Sequence, residues 1–288
     1  MTDGRIAQPL CDAAKDGIVA IMSASLVLNL FAVVALLPAA LIPLRSEADR
    51  DGPFWGAIAL AVSGPAAWGV LLVSEGWQTS LSAALWISIG ACAALFAAQS
   101  MVSRQAWRLA PLLMPFLAVL GILASLVRHV EDPQPLVGGA PAAWLDIHII
   151  VSVLTYALLT LAAVASLGAF LQERALKRKR PTRLTRMLPS VADGESLAGR
   201  LLLTGELVLG LGLITGMATQ YFETGALMVF GHKTLLSLVA FGLIGLLLIG
   251  HRVCGVRGRM AARVVLVSYL LLTLAYPGVK FVTQVLLS

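Results

Sequence analysis

The chemistry available to this sequence rests on four histidines, His129, His148, His232 and His251. A neutral imidazole is the commonest metal ligand, and two imidazoles from different helices make bis-histidine haem ligation. His148 heads a stripe with Ser152 and Tyr156, spaced i, i+4, i+8 on one helix face. The stripe lies in a charge-free run, where polar groups need a partner or a cavity. Glu206 is the one carboxylate deep inside another apolar run, six residues past Arg200, or about 9 Å along a helix. It reads either as a proton or cation site or as a neutral carboxyl packed on a neighbour. A single histidine at a helix end is as well explained by a hydrogen bond to a headgroup or a carbonyl. Three at the same level weigh toward a ligand set.

Whether they share a level depends on the elements that carry them. Of the 288 residues 59% are apolar and 12% charged, against about 25% charged in soluble domains. This excludes an ordinary water-soluble enzyme. Charge-free runs of roughly 20 residues are long enough to cross a bilayer. Eight are expected: 17–42, 54–73, 81–100, 109–127, 144–171, 201–219, 232–250 and 260–283. The chain reads as one all-α, polytopic membrane domain, residues 1–288. The first run is too long for a signal-peptide core and is read as a retained span.

Loop charge sets the orientation. Sixteen of the 21 Lys and Arg fall on one set of alternate loops, which makes that side cytoplasmic and puts both termini on the outer, periplasmic side. The net charge of +6 is thus a topology signal rather than a sign of nucleic-acid binding, and membrane lipid is the expected partner. The run from Lys177 to Arg186 is the strongest such anchor and could also touch anionic lipid. His129, His148 and His232 come out on the outer side and His251 on the inner. His232 and His251 are 19 helical steps apart, about 28 Å, too far to share an iron. Cys11, Cys92 and Cys254 fall outside, mid-span and inside, so they cannot pair. No CxxC, Walker loop, GxSxG or internal repeat is present. Gly205, Gly210, Gly212 and Gly216 favour close helix approach. Tyr221 to Phe230 reads as a short interfacial helix, and as a lid if a cofactor lies beneath.

Six pieces of sequence carry a family resemblance: W-L-D-I-H-I-I-V-S-V-L-T-Y at 144–156, E-R-A-L-K-R-K-R at 173–180, L-G-L-I-T-G at 211–216, H-K-T-L-L-S at 232–237, G-V-R-G-R at 255–259 and A-Y-P-G-V-K-F-V at 275–282. In this order the chain resembles the cytochrome c assembly protein family, the membrane haem-handling proteins of cytochrome c biogenesis, and most of all its short inner-membrane branch. The resemblance is strongest over 144–282. It implies an all-helical bundle in the bacterial inner membrane, with no covalent chemistry of its own and other cytochrome c assembly proteins as partners. It places His148 at the first outer haem-holding histidine and His251 at a histidine within the span that follows the family's tryptophan-rich segment. Two family features differ. The stretch Y-F-E-T-G-A-L-M-V-F stands where a tryptophan-rich segment is expected, and K-F-V-T-Q-V-L-L-S ends the chain without a second outer histidine.

The leading expectation is a protein that binds or passes haem at the outer leaflet. His148 and His232 are the metal-ligand pair, and His129 and His251 are further cofactor-binding candidates. The rivals are a regulatory scaffold acting through the basic loop, and a small-solute or proton-coupled transporter using Glu206.

Overall fold

The computed structural model describes residues 26–45, 49–74, 80–128, 139–226, 231–256 and 258–278, and every regular element among them is helical. In chain order these are α1 (Leu26–Leu44, ending in a 3₁₀ turn), α2 (Gly52–Ser74), α3 (Leu81–Val102), α4 (Ala110–Val127), α5 (Ala142–Lys177), α6 (Arg183–Met187), α7 (Val191–Thr224), α8 (His232–Val253) and α9 (Arg259–Thr273). Helices are what a lipid environment requires, because each satisfies its own backbone hydrogen bonds. The starts are set by polar caps. Ser80 accepts the N–H of Ala83 for α3, Ser190 that of Asp193 for α7, and Thr182 with Thr185 forms a capping box for α6. Asp51 accepts the N–H of Phe54 at the start of α2 and pairs with Arg45. The Arg45 guanidinium holds this carboxyl down at about 2.

Among the described residues seven helices are long and apolar enough to span a membrane: α1 to α5, α7 and α8. The eighth expected span corresponds to α9 and a π-helical turn, Leu274–Gly278. The first expected span begins at Gly17, and residues 1–25 lie outside the described ones, as do 279–288.

Two helices differ from expectation in length. The fifth span continues to Lys177, and the sixth begins at Val191 and ends at Thr224. The reasons are local: Gln172 to Lys177 are good helix formers, and the α7 start is set by the Ser190 cap with Asp193 in its first turn, both stretches being polar enough to leave the bilayer as helix. The basic loop is therefore largely helical, with α6 inside it. The separate interfacial helix expected over 221–230 is corrected as well. Tyr221 to Thr224 form the last turn of α7, closed by Gly225 at φ +72°, whose N–H bonds to Tyr221 O. Residues 227–230 lie outside the described ones.

α1 to α4 pack around Trp86, Phe54, Phe96, Ile58 and Leu117, each almost fully buried. α5 and α7 form the second half with α8 and α9, and α3 joins the halves by packing on α5. The α5–α7 pair is antiparallel: Ala169 lies by Gly194, Leu159 by Gly205, Val151 by Gly212 and His148 by Gly216. The chain thus builds a basic end and a histidine end. Apolar side chains such as Val27, Leu126, Leu207 and Leu246 face outward, as a lipid-embedded bundle requires. Arg183 of α6 donates to Leu44 O at 2.5 Å, tying the two halves at the basic end.

Small residues set the α1–α2 spacing. A methyl on Gly64 would lie 2.5 Å from Ala35 Cβ, while nothing lies within 4 Å of Gly56. Gly64→Ala is expected to lower stability by about 1–3 kcal/mol through overpacking, and Gly56→Ala to leave it unchanged or slightly raised. Thermal unfolding of the two variants in detergent checks this.

Candidate functional site at the histidine end

His148 lies in the second turn of α5 and is half-buried against α7. Its Nδ1 is 3.1 Å from Thr215 Oγ1. The Thr215 hydroxyl donates its own proton to Gly212 O at 3.1 Å. Nδ1 is thus the ring nitrogen engaged by α7, and Nε2 is the one free of this contact. Imidazole ligands to metals are commonly oriented this way, with one ring nitrogen tied to an outer partner and the other left basic. The hydroxyl of Thr219 continues the polar strip on α7 by donating to Thr215 O and Gly216 O at 2.7 and 3.1 Å. Gly216 makes the room: a methyl there would fall 3.0 Å from His148 Cε1.

The rest of the expected α5 stripe divides. Ser152 is exposed. Tyr156 turns toward α9, where Tyr269 Oη donates to Tyr156 Oη at 3.1 Å and the rings lie 5.6 Å apart. Thr160, one turn on, donates to Tyr156 O at 2.7 Å and has its hydroxyl 3.2 Å from that of Tyr269. This buried polar cluster braces α5 against α9. Sequence reasoning asked for a partner to the stripe without identifying Tyr269, and it took Gly216 for packing alone. Thr215 and Thr219, spaced i, i+4 beside that glycine, were the available signal.

The other histidines are placed as follows. His232 is the first residue of α8 and is exposed at the histidine end. His251 closes the same helix at the basic end, with Nδ1 2.9 Å from Val256 O. His129 lies outside the described residues. Just before it, the Arg128 guanidinium sits 4.7 Å above the Trp68 ring, anchoring the end of α4. Among the described residues no three His, Cys, Asp or Glu side chains gather as a metal cluster. Cys92 and Cys254 are free thiols, and Cys11 lies outside the described residues. Glu206 is nine-tenths buried, with Oε1 against Gly245 of α8 and no hydrogen-bond partner for Oε2.

The Gly216–His148 contact gives a coupling test. Gly216→Ala should cost about 1 kcal/mol more stability in the wild-type background than in His148→Ala, since neighbours in contact are non-additive. Equal costs in a double-mutant unfolding cycle would show that the ring does not occupy this niche.

Two comparisons bear on identity. The chain is 58% identical over 272 residues to an Azospirillum brasilense protein, "Uncharacterized 28.8 kDa protein in nifR3-like 5'region", covering 92% of this chain and all of that one. The family model for cytochrome C assembly protein matches residues 53–287. That match begins well upstream of residue 144 and takes in α2 to α4 as well as the second half. With its all-helical fold and seven membrane-length helices, this chain belongs to the cytochrome c assembly protein family.

Proposed function

We propose that this membrane protein serves cytochrome c biogenesis by binding or passing haem at the outer leaflet, with His148 as one axial ligand and His232 as the second. Family membership supports the role in biogenesis. The observation that carries the haem reading is the contact of His148 Nδ1 with the Thr215 hydroxyl at 3.1 Å, which orients the ring and leaves Nε2 as the nitrogen free of that contact. Haem supplies an iron whose axial positions accept such nitrogens. The residues present fit that group: a half-buried, oriented imidazole on α5 and an exposed imidazole at the start of α8, both at one end of the bundle. His232 takes the place of the outer histidine that the C-terminal sequence lacks. His129 is a further candidate beside it. His251, held by Val256 O at the other end, belongs to a separate site, since α8 separates it from His232 by about 28 Å. The protein holds haem and makes or breaks no covalent bond, working with other cytochrome c assembly proteins in the bacterial inner membrane.

Purified protein is expected to show a Soret band that shifts on reduction. His148→Ala and His232→Ala should each abolish it, and Thr215→Val should weaken it by leaving the ring unoriented, by about 10–100-fold in haem affinity. A colourless protein that takes up no added haem overturns the reading.

One observation favours a second reading, a proton-coupled transporter. Glu206 is buried mid-span with an oxygen that lacks a partner, and intramembrane carboxyls of this kind mark proton paths. Flux of protons into proteoliposomes that disappears in Glu206→Gln would establish it. Flux unchanged by that substitution would remove it.

A further inference from the structure

At the basic end, α5, α7, α8 and α9 surround a cavity of about 320 Å³, within the range of small-ligand sites, roughly 300–1,000 Å³. Its wall is apolar, with Phe170 from α5, Leu202 and Leu203 from α7, Leu247 and Leu248 from α8 and Val265 from α9. Its opening carries charge. Arg200 and Arg252 border it and are exposed, and His251, Glu173 and Glu195 lie beside them.

The carboxylates are already engaged. Glu173 pairs with Lys177 one turn along α5. Glu195 accepts the N–H of Gly258, which opens α9, at 2.9 Å. The His251 ring is tied to Val256 O. Arg200 reaches only its own helix, with Nε 3.4 Å from Ser196 O. Among the described residues neither Arg200 nor Arg252 is ion-paired. Two guanidinium groups therefore stand without an ion-pair partner among the described residues over an apolar hollow, with the Glu195 carboxylate turned to the α9 start and Glu173 to Lys177.

We propose that this cavity is a binding site for an acidic phospholipid of the adjoining leaflet, its phosphate held between Arg200 and Arg252 and one acyl chain laid along the apolar wall. Guanidinium groups bind phosphate oxygens through paired N–H donors. Basic pockets between membrane helices recognise acidic headgroups in this way. A soluble anion would leave the leucine wall unfilled, and a lipid of zero net charge would leave the second arginine uncompensated. The proposal is independent of haem and uses none of the residues at the histidine end.

The test is native mass spectrometry of the full chain in detergent, titrated with dioleoyl phosphatidylglycerol or dioleoyl phosphatidylcholine. Wild-type protein should retain phosphatidylglycerol in preference to phosphatidylcholine, and excess inorganic phosphate should not displace it. The double variant Arg200→Ala/Arg252→Ala should bind phosphatidylglycerol about 30-fold more weakly, at roughly 1 kcal/mol per arginine. Arg104→Ala/Arg108→Ala, which removes two cations from the same end outside both the cavity and the 177–186 run, should bind as wild type does. Equal retention of the two lipids by wild-type protein, or full displacement by inorganic phosphate, overturns the proposal without recourse to any variant. So does a double arginine variant that folds and keeps wild-type affinity.

Discussion

Surrounded by lipid tails, two helices gain nothing by hiding leucine from leucine, so they stay together only where their surfaces approach closely enough for dispersion and hydrogen bonding to exceed what lipid offers. The α5–α7 contact meets this requirement by using glycine at intervals along α7. Gly194 accepts Ala169, Gly205 accepts Leu159, Gly212 accepts Val151 and Gly216 accepts the His148 ring. Everything else takes its position from this pair. α3 packs on the outer face of α5 and brings the first four helices with it, α9 packs on α5 through the tyrosine cluster, and α8 lies against α7. A shift of one turn in α5 against α7 would place His148 opposite Gln220 in one direction or Gly212 in the other, and in either case would separate it from Thr215.

The two ends of the bundle are stabilised by different physics. At the basic end, charges meet in water: Arg45 with Asp51, Glu173 with Lys177, and Glu195 with the start of α9. Such exposed pairs contribute little individually and chiefly fix geometry. Around His148 the bonds run instead between a ring, two hydroxyls and helix carbonyls. These are the bonds that retain their strength where water is scarce. Between the ends, Glu206 follows neither rule, since among the described residues its buried Oε2 has no hydrogen-bond partner.

Much of the architecture was legible from composition. Charge-free runs located the long helices, because no other element satisfies its backbone in lipid. The i, i+4, i+8 stripe from His148 identified a face of α5 that needed company. What the runs could not give were the extensions of α5 and α7. Hydropathy detects where a helix leaves the bilayer, not where it stops being a helix, and the polar turns after Leu171 and before Leu201 remain helical. Tyr221 looked like the start of a surface helix for the converse reason: its apolar neighbours suggested burial, yet the turn from Tyr221 to Thr224 is the exposed end of α7. The partners Thr215 and Tyr269 were out of reach because a single sequence states which face is polar without stating which helix it meets. The cavity at the basic end was out of reach too, as it is made by four helix ends separated by up to about a hundred residues.

The length of α5 carries a consequence of its own. From Trp144, 39% exposed, to Arg174 is thirty residues, about 45 Å of helix, which equals the full thickness of a bilayer with its headgroups, about 40–45 Å. Tryptophan favours the membrane–water boundary at either side, and Lys and Arg gather at the cytoplasmic one. α5 is therefore long enough to reach from one boundary to the other, with Trp144 and Arg174 suited to its two ends. His148 lies one turn along α5 from Trp144, so the aromatic that suits the boundary and the imidazole that meets Thr215 sit at the same end of the helix.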